Sequence, residues 1–322
     1  MKQIHLIQIG PSNSALVSNL AYNLNSIQSE FLFSFNPKDV LAYPKDINEN
    51  EAVPDDTLLS LVHEYAITKY KDEYSVAICD CLLKDKILTS SDNRKALITT
   101  QGWEMGASKH SIEKVIAYAL VDILLESLNI ITPTHDEPKG CPMDCELGSE
   151  KNLDACLSKS DFCPDCRSLI LSAIGRGNIT LHQMVAIYKI LDFIAQRKLC
   201  FVLMPFKKKF REIYTKHIKS IFTRYDWVCN MAEEIHEERE IINIIWEQVL
   251  RADLIIADLT KRNPNVFYEL GYAHALGKKT VLLTQSIQDV PFDLRHRQLV
   301  EYSPTPEGYK KLVQSIVEYI KK

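Results

Sequence analysis

Paired cysteines are the first residues in this sequence whose spacing points to chemistry. The chain has 322 residues and nine cysteines, five of which fall between positions 141 and 166. Three residues separate Cys141 from Cys145, and two separate Cys163 from Cys166. Two such pairs, 17 residues apart, are typical of a tetrahedral zinc site built from thiolates. We therefore predict structural zinc bound by these four cysteines.

The segment around the cysteines explains why a metal is needed there. Residues 131–166 are interrupted by prolines and glycines, so no periodic apolar pattern runs through them. A loop with so little apolar surface needs another source of order, and metal binding supplies one. Cys156 and His135 lie in the same segment, and either can replace one of the four thiolates. Reduced free thiols or a redox switch are the other interpretations of this cluster.

A glutamate in the last third of the chain is the second candidate for chemistry. Glu269 is surrounded by apolar residues on a predicted helix that has few other charges. It is either an exposed residue paired with Arg262 or Lys278, or a half-buried carboxylate that faces a ligand. In the second case it can stabilise, or attack, the positively charged ribose that forms when an N-glycosidic bond breaks.

The residues that precede Glu269 predict where a ligand binds. An apolar run at 254–257 predicts a buried strand with Asp258 at its carboxyl end, and Asn263 and Pro264 suit the cap and first position of the next helix. Ligands of open α/β sheets bind at the carboxyl ends of the strands. We therefore predict that Asp258, Asn263, Asn265 and Glu269 converge on a ligand pocket at this edge of the sheet.

Alternating strand and helix patterns predict an α/β fold with two domains. The first part contains predicted strands at 4–9, 31–35, 74–80 and 96–100, and helices at 13–24, 56–70, 111–128, 166–174 and 181–196. In the second part, strands at 199–204, 227–230, 254–257 and 280–284 alternate with helices at 209–222, 238–251, 264–276 and 305–321. Strands joined by single helices predict a parallel sheet. The predicted domains are 1–197 and 198–322.

Composition excludes several functional classes. The formal charge is −4, which gives no reason to expect nonspecific binding to nucleic acid. No window approaches the roughly 18 apolar residues of a membrane-spanning helix, and the first ten residues read as a strand rather than a signal peptide. We expect a cytoplasmic protein that binds neither membrane nor nucleic acid.

Four motifs in the second part carry a resemblance to known proteins. They are Leu-Met-Pro-Phe at 203–206, Ala-Asp-Leu-Thr at 257–260, Asn-Pro-Asn-Val-Phe-Tyr-Glu-Leu-Gly-Tyr-Ala at 263–273 and Pro-Phe-Asp-Leu-Arg at 291–295. On these motifs, residues 200–322 resemble a TIR-like family of bacterial proteins that is related to nucleoside 2-deoxyribosyltransferases. The resemblance implies a Rossmann-like parallel sheet flanked by helices, and it gives Glu269 the role of the catalytic carboxylate. It also implies that residues of these motifs bind the substrate: Pro205, Phe206, Asp258, Asn263, Asn265 and Tyr268. The chain departs from the family at 229–233, where an acidic site is common.

The same resemblance implies a function. It suggests an N-glycosidase that cleaves NAD(P) and releases nicotinamide. Because such an activity is toxic, the first domain is expected to gate it in response to an unknown protein or small-molecule trigger, with homo-oligomers forming on activation. Antiphage defence is the expected setting. The alternatives are a deoxyribosyltransferase-like enzyme, or a non-enzymatic protein that binds nucleotides or signals.

Residues 1–175 resemble archaemetzincins. The shared features are Ile-Gly-Pro at 9–11, a strand leading to Asp80, a long helix, and a cysteine cluster that contains Met143. The resemblance implies a zincin-like α/β domain with a Cys-rich zinc loop. The long helix at 111–128 contains no histidine, however, so the His-Glu-x-x-His motif of metzincins is missing. We expect a pseudo-protease that acts as a regulatory module and has no peptidase activity. A nucleotide-sensing Rossmann-like domain, as found fused to effectors in CRISPR systems, is the competing interpretation.

Overall fold

The chain forms two compact units, each built around a five-stranded sheet. The computed structural model describes residues 1–10, 14–44, 52–71, 73–81, 83, 89–92, 94–101, 111–130, 135, 139–144, 156–234 and 241–321. Backbone contacts divide the chain into Met1–Gln196 and Arg197–Lys322. Helices flank both sheets, and nearly all strand pairs are parallel. The predicted α/β fold class is confirmed.

The first unit contains a sheet with strand order β2-β1-β3-β5-β4, in which only β4 runs antiparallel to its neighbour among the described strands. Its elements are β1 (Lys2–Ile9), α1 (Ser14–Ile27), β2 (Phe31–Leu41), α2 (Asp55–Tyr70), β3 (Tyr74–Cys79), β4 (Thr89–Asp92), β5 (Lys95–Thr99), α3 (Ile112–Ser127), α4 (Pro164–Gly175) and α5 (Leu181–Ile194).

Alternate residues of the central strands of this unit pack against different helices. In β1, Ile4 and Leu6 belong to the core cluster formed with α1, α3 and α5. Ile7 and Ile9 belong to the cluster formed with α2. Side chains on a strand alternate between the two faces of the sheet, so a strand covered on both faces reads as a continuous apolar run.

The second unit is a fully parallel sheet with strand order β10-β9-β8-β6-β7. Its elements are β6 (Lys198–Leu203), α6 (Lys208–Ile213), a π-helical turn (Tyr214–Ile218), α7 (Lys219–Arg224), β7 (Trp227–Met231), α8 (Ile241–Arg251), β8 (Leu254–Asp258), α9 (Pro264–Ala275), β9 (Thr280–Thr284), β10 (Leu299–Glu301) and α10 (Pro306–Ile320).

The strand order of the second unit reverses direction once, between β6 and β8, and leaves a crevice at that point. The chain leaves β6 for β7 on one side, then crosses back past β6 to reach β8 on the other side. The direction of winding therefore reverses between β6 and β8. In open parallel sheets, ligands bind outside the carboxyl ends of the two strands that flank such a reversal.

The ends of α9 follow from individual residues, as the sequence predicted. The side chain of Asn263 accepts hydrogen bonds from the backbone N–H of Asn265 at 3.0 Å and of Val266 at 3.4 Å, and Pro264 begins the helix. Gly277 follows the last turn with φ of +67°, a conformation that costs other residues free energy.

The structure also contains elements that the sequence did not predict. β4 reads Thr-Ser-Ser-Asp, and β10 has only three residues, so neither shows an apolar run long enough to indicate a strand. The π-helical turn interrupts what the pattern predicted as one helix. No helix within the described ranges is long and apolar enough to cross a lipid bilayer.

A buried carboxylate anchors the carboxyl ends of the second sheet. Asp258, at the end of β8, is fully buried. Its Oδ2 accepts a hydrogen bond from the Tyr302 hydroxyl at 2.6 Å, and its Oδ1 accepts one from the backbone N–H of Thr260 at 2.9 Å. Burial raises the pKa of Asp258, while these two hydrogen bonds act in the opposite direction.

We predict that Tyr302→Phe destabilises the second unit by about 1–3 kcal/mol, because it leaves one carboxylate oxygen of Asp258 buried without a donor. The loss should shrink at acidic pH, where Asp258 becomes protonated. Urea unfolding followed by tryptophan fluorescence measures the effect. Tyr309→Phe is the matched control, since the Tyr309 ring stacks on His217 and its hydroxyl has no hydrogen bond to a described residue. Equal stability of both variants would contradict the assignment.

Candidate functional site

Three cysteines and one histidine of the first unit converge on a point. The ligand atoms of His135, Cys141, Cys163 and Cys166 all lie within 4.8 Å of one another, and all four residues are buried. His135 Nε2 lies 3.5 Å from Cys163 Sγ and 3.3 Å from Cys166 Sγ. With Zn–S near 2.3 Å and Zn–N near 2.05 Å, a tetrahedral centre requires S···N separations of about 3.6 Å. The cluster therefore fits a tetrahedral cation.

The second ring nitrogen of His135 is fixed by a carboxylate. His135 Nδ1 lies 2.8 Å from Asp144 Oδ1. The other oxygen of Asp144 accepts hydrogen bonds from the backbone N–H groups of Lys139, Gly140 and Cys141, at 2.9, 2.7 and 3.0 Å. A carboxylate that accepts the Nδ1–H proton leaves Nε2 as the lone-pair donor, and this arrangement is common behind metal-binding histidines.

The chemistry of the donors also favours a cation. Burial raises the pKa of the Cys141 and Cys166 thiols, so thiolates are unfavourable here by themselves. A divalent cation reverses that balance, because it binds the thiolate form. With four protein ligands the site is closed, which is typical of structural zinc rather than of a catalytic centre.

Within the described residues, the cluster joins three of the four predicted cysteines, Cys141, Cys163 and Cys166, with His135, which is one of the two alternatives. Cys145 lies outside the described residues, so its part in the site stays a prediction. The other alternative, Cys156, donates its Sγ–H to Asp144 Oδ2 at 3.4 Å and supports the histidine indirectly.

Glu269 of the second unit lies on α9, the helix that follows β8. It is half-buried, and its carboxylate makes no hydrogen bond or ion pair with any residue of the described ranges. Burial raises its pKa to about 7. A desolvated carboxylate without a partner is unfavourable for stability, and such groups are concentrated at functional sites.

The ion pairs that would explain Glu269 as a surface residue are not formed. Arg262 donates to the backbone oxygen of Gln288. Lys278 donates to the backbone oxygens of Leu250 at 2.6 Å and Ala252 at 3.0 Å. Both cations are therefore directed to backbone acceptors on other elements, and the half-buried alternative describes Glu269 better.

One aromatic residue near Glu269 on the same helix was not singled out as a site residue from the sequence. Tyr272 lies one helical turn after Glu269, and its ring lies 5.8 Å from the ring of Trp246 on α8. Residues three apart on a helix are neighbours, so Tyr272 adjoins Glu269 on the surface of α9. The spacing of Tyr272 from Glu269 was the signal available in the sequence.

The predicted substrate-binding residues fall into two groups. Phe206 and Tyr268 are 50% and 61% exposed, and Asn265 is also exposed, so these side chains are accessible to a ligand. Asn263 caps α9. Pro205 is buried. Both oxygens of Asp258 accept protein hydrogen bonds, so Asp258 anchors local structure, and its contact with a ligand stays a prediction.

Comparison with known proteins gives partial similarities only. No family model and no curated protein matches the chain. Similar solved structures include a 2-deoxyribosyltransferase from Leishmania mexicana, with 24% identity and a TM-score of 0.25. The similarity covers 28% of this chain and 65% of the length of that protein. A CMP N-glycosidase from Clostridium botulinum has 17% identity and a TM-score of 0.30. That similarity covers 38% of this chain and 100% of the glycosidase chain.

The first unit has a counterpart among these structures as well. Archaemetzincin from Methanopyrus kandleri is similar at 12% identity and a TM-score of 0.40, over 54% of this chain and 96% of that protein. None of these three proteins is a TIR protein, so that part of the resemblance remains a prediction. At these scores no residue role is taken from the similarities, and the function is argued from the geometry of the site.

We predict that zinc copurifies at about one equivalent per chain and that His135→Ala and Cys163→Ser each lose it, because removing one of four ligands opens the site. Loss of metal should lower the melting temperature, since binding free energy contributes to folding. Cys156→Ser is the control and should retain zinc. Elemental analysis of the purified variants decides this, and a metal-free wild type or a zinc-free Cys156→Ser variant would contradict the ligand set.

Proposed function

We propose that the second unit is an N-glycosidase that cleaves NAD or a related nucleotide between the ribose and nicotinamide, with Glu269 as the catalytic carboxylate. The observation that carries the proposal is the half-buried, unpaired carboxylate of Glu269 on the helix after β8. Its helix follows β8, one of the two strands that flank the crevice, which supports a role towards a ligand bound there.

The chemistry requires little besides this carboxylate. When the C–N bond to nicotinamide breaks, its electron pair goes to the ring nitrogen, and positive charge develops on the ribose. Glu269 in its ionised form stabilises that charge at the anomeric carbon, and water completes the reaction to give ADP-ribose and a proton. Preorganised electrostatic groups act strongly in a desolvated site, which is where burial places Glu269.

The leaving group distinguishes NAD from ordinary nucleosides. Nicotinamide is a cationic pyridinium in NAD and departs as a neutral molecule, so it needs no proton donor. Glycosidases that expel a poor leaving group use a second carboxyl group as an acid. No titratable donor lies within hydrogen-bonding distance of Glu269 in the described part of the chain. A single carboxylate therefore favours NAD over nucleosides as the substrate.

The proposal includes a regulatory role for the first unit. Constant hydrolysis of NAD is harmful to a cell, so the zinc-containing unit is assigned the gating function, with assembly into homo-oligomers on activation and a role in antiphage defence. Chromatography of reactions with NAD, CMP and deoxynucleosides tests the substrate. Release of nicotinamide supports the proposal, whereas base exchange on deoxynucleosides alone would assign deoxyribosyl transfer instead.

We predict that Glu269→Gln lowers NAD turnover by about 10²–10³, the usual cost of losing one preorganised electrostatic group. The same variant should be as stable as the wild type below pH 4.5 and more stable at pH 8, by on the order of 1–3 kcal/mol, because the amide avoids burying a charge. Glu318→Gln, on the exposed side of α10, is the matched control. Lost stability with unchanged turnover would indicate a structural ion pair and would end the catalytic assignment.

The pH dependence provides an independent prediction. The folded pKa of about 7 is above the ordinary value of 4.5, so Glu269 is protonated at acidic pH in the folded protein. Because the ionised form is the active one, kcat/KM for NAD should rise with pH and level off above an inflection near 7. The same shift makes the stability contribution of Glu269 fall between pH 4.5 and 7. A rate that decreases through this range would contradict the proposed role.

A further inference from the structure

Lys114, in the first turn of α3, is buried without a partner among the described residues. Its side chain is 7% exposed, and its ammonium makes no hydrogen bond or ion pair with any residue that the structure describes. Lysine is almost never buried this far unless it is paired. Burial lowers the pKa of Lys114, whereas the adjacent Glu113 acts in the opposite direction. The carboxylate of Glu113 itself accepts a hydrogen bond from Asn23 Nδ2 at 2.6 Å.

The helix that bears Lys114 also begins with unsatisfied donors. Ser111 occupies the cap position, but its side chain makes no capping hydrogen bond. The backbone N–H groups of Lys114 and Val115 donate to the Ser111 oxygen at 2.9 and 3.4 Å. Those of Ile112 and Glu113 have no acceptor within the described ranges. In a helix of 16 residues, these donors carry the positive end of the helix dipole.

Lys114 and the two N–H groups belong to the same first turn of α3. Side chains on an α-helix incline towards its N-terminus, so Lys114 extends towards the beginning of α3. A cation beside a helix N-terminus is electrostatically unfavourable by itself. One bound anion satisfies the ammonium and both N–H groups together, and helix N-termini are common anion sites.

A second orphaned group lies at the same edge of the first unit. Gln101 follows β5, and its side-chain oxygen is shielded from solvent without a hydrogen-bond donor. A helix that follows a parallel strand runs back along the sheet, so α3 begins at the carboxyl edge where Gln101 lies. Residues 102–110, which join the two, lie outside the described residues. An acceptor here suits a ligand that also carries an O–H or N–H group.

We propose that the carboxyl edge of the first unit binds the phosphoryl group of a small phosphorylated molecule, with Lys114 and the N–H groups of Ile112 and Glu113 as its ligands. A phosphoryl group offers three acceptor oxygens for these three donors, whereas a carboxylate offers two. This site lies on a different unit from Glu269 and does not depend on the N-glycosidase activity. It gives the first unit a chemical class of ligand to detect.

The test measures anion binding to the full-length, zinc-containing chain. Inorganic phosphate and AMP are titrated by calorimetry and by thermal melting, with sodium chloride and sodium acetate at matched ionic strength. The wild type and the exposed control Lys38→Met should bind phosphate or AMP, and Lys114→Met should bind about 10–100-fold more weakly, as expected for losing a charge-assisted hydrogen bond. Tighter binding of AMP identifies a nucleotide, and equal binding identifies free phosphate.

A second measurement keeps the proposal testable if Lys114→Met does not fold. Reductive methylation of the wild type, read by peptide mass spectrometry, should label Lys114 more slowly when phosphate is present, while Lys38 is labelled at the same rate. Zinc content reports whether the variant retains the first unit. Unchanged affinity in a folded Lys114→Met variant, unprotected Lys114, or equal binding of acetate would each overturn the proposal.

Discussion

Helices cover both faces of each sheet, and this constraint determines where any chemistry can occur. The central strands bury alternate residues against different helices, so most of their buried side chains are apolar. Polar groups in such a layer would lose water without gaining partners, at a cost of several kcal/mol each. The titratable and hydrogen-bonding residues discussed above accordingly lie at strand ends, on helices or in the cysteine-rich loop.

Buried carboxylates illustrate two opposite consequences of this constraint. Asp144 and Asp258 accept hydrogen bonds at both oxygens, and each fixes a neighbouring segment of chain. Glu269 is only half-buried, yet no donor of the described chain compensates its charge. The first two residues stabilise their units, whereas the third costs stability. That difference is the physical basis for assigning a structural role to the aspartates and a catalytic role to the glutamate.

Lys114 and Glu269 each lower the free energy of unfolding in the same way, because each removes a charge from water without a compensating partner among the described residues, and the two charges have opposite sign. The first is an ammonium in the first turn of a helix, and the second is a half-buried carboxylate with no partner among the described residues. An anion would offset the first charge, and a developing cation on ribose would offset the second. Under our proposals, Lys114 therefore serves recognition in the first unit and Glu269 serves catalysis in the second.

Apolar periodicity by itself determined most of the strands and helices, because burial on both faces leaves continuous apolar runs and burial on one face leaves a helical repeat. It did not reveal β4 or β10, which are short edge strands that pairing with a neighbour creates. Spacing predicted that Cys163 and Cys166 belong to one candidate metal site, since two residues separate them along the chain. The sequence did not decide which residue is the fourth candidate ligand. His135 is 28 residues from Cys163, and only folding brings its Nε2 to 3.5 Å from Cys163 Sγ. Likewise, the motif around Glu269 indicated a carboxylate of interest. Whether Arg262 or Lys278 neutralises it depended on the direction in which those side chains extend, and only the tertiary structure directs both to backbone oxygens.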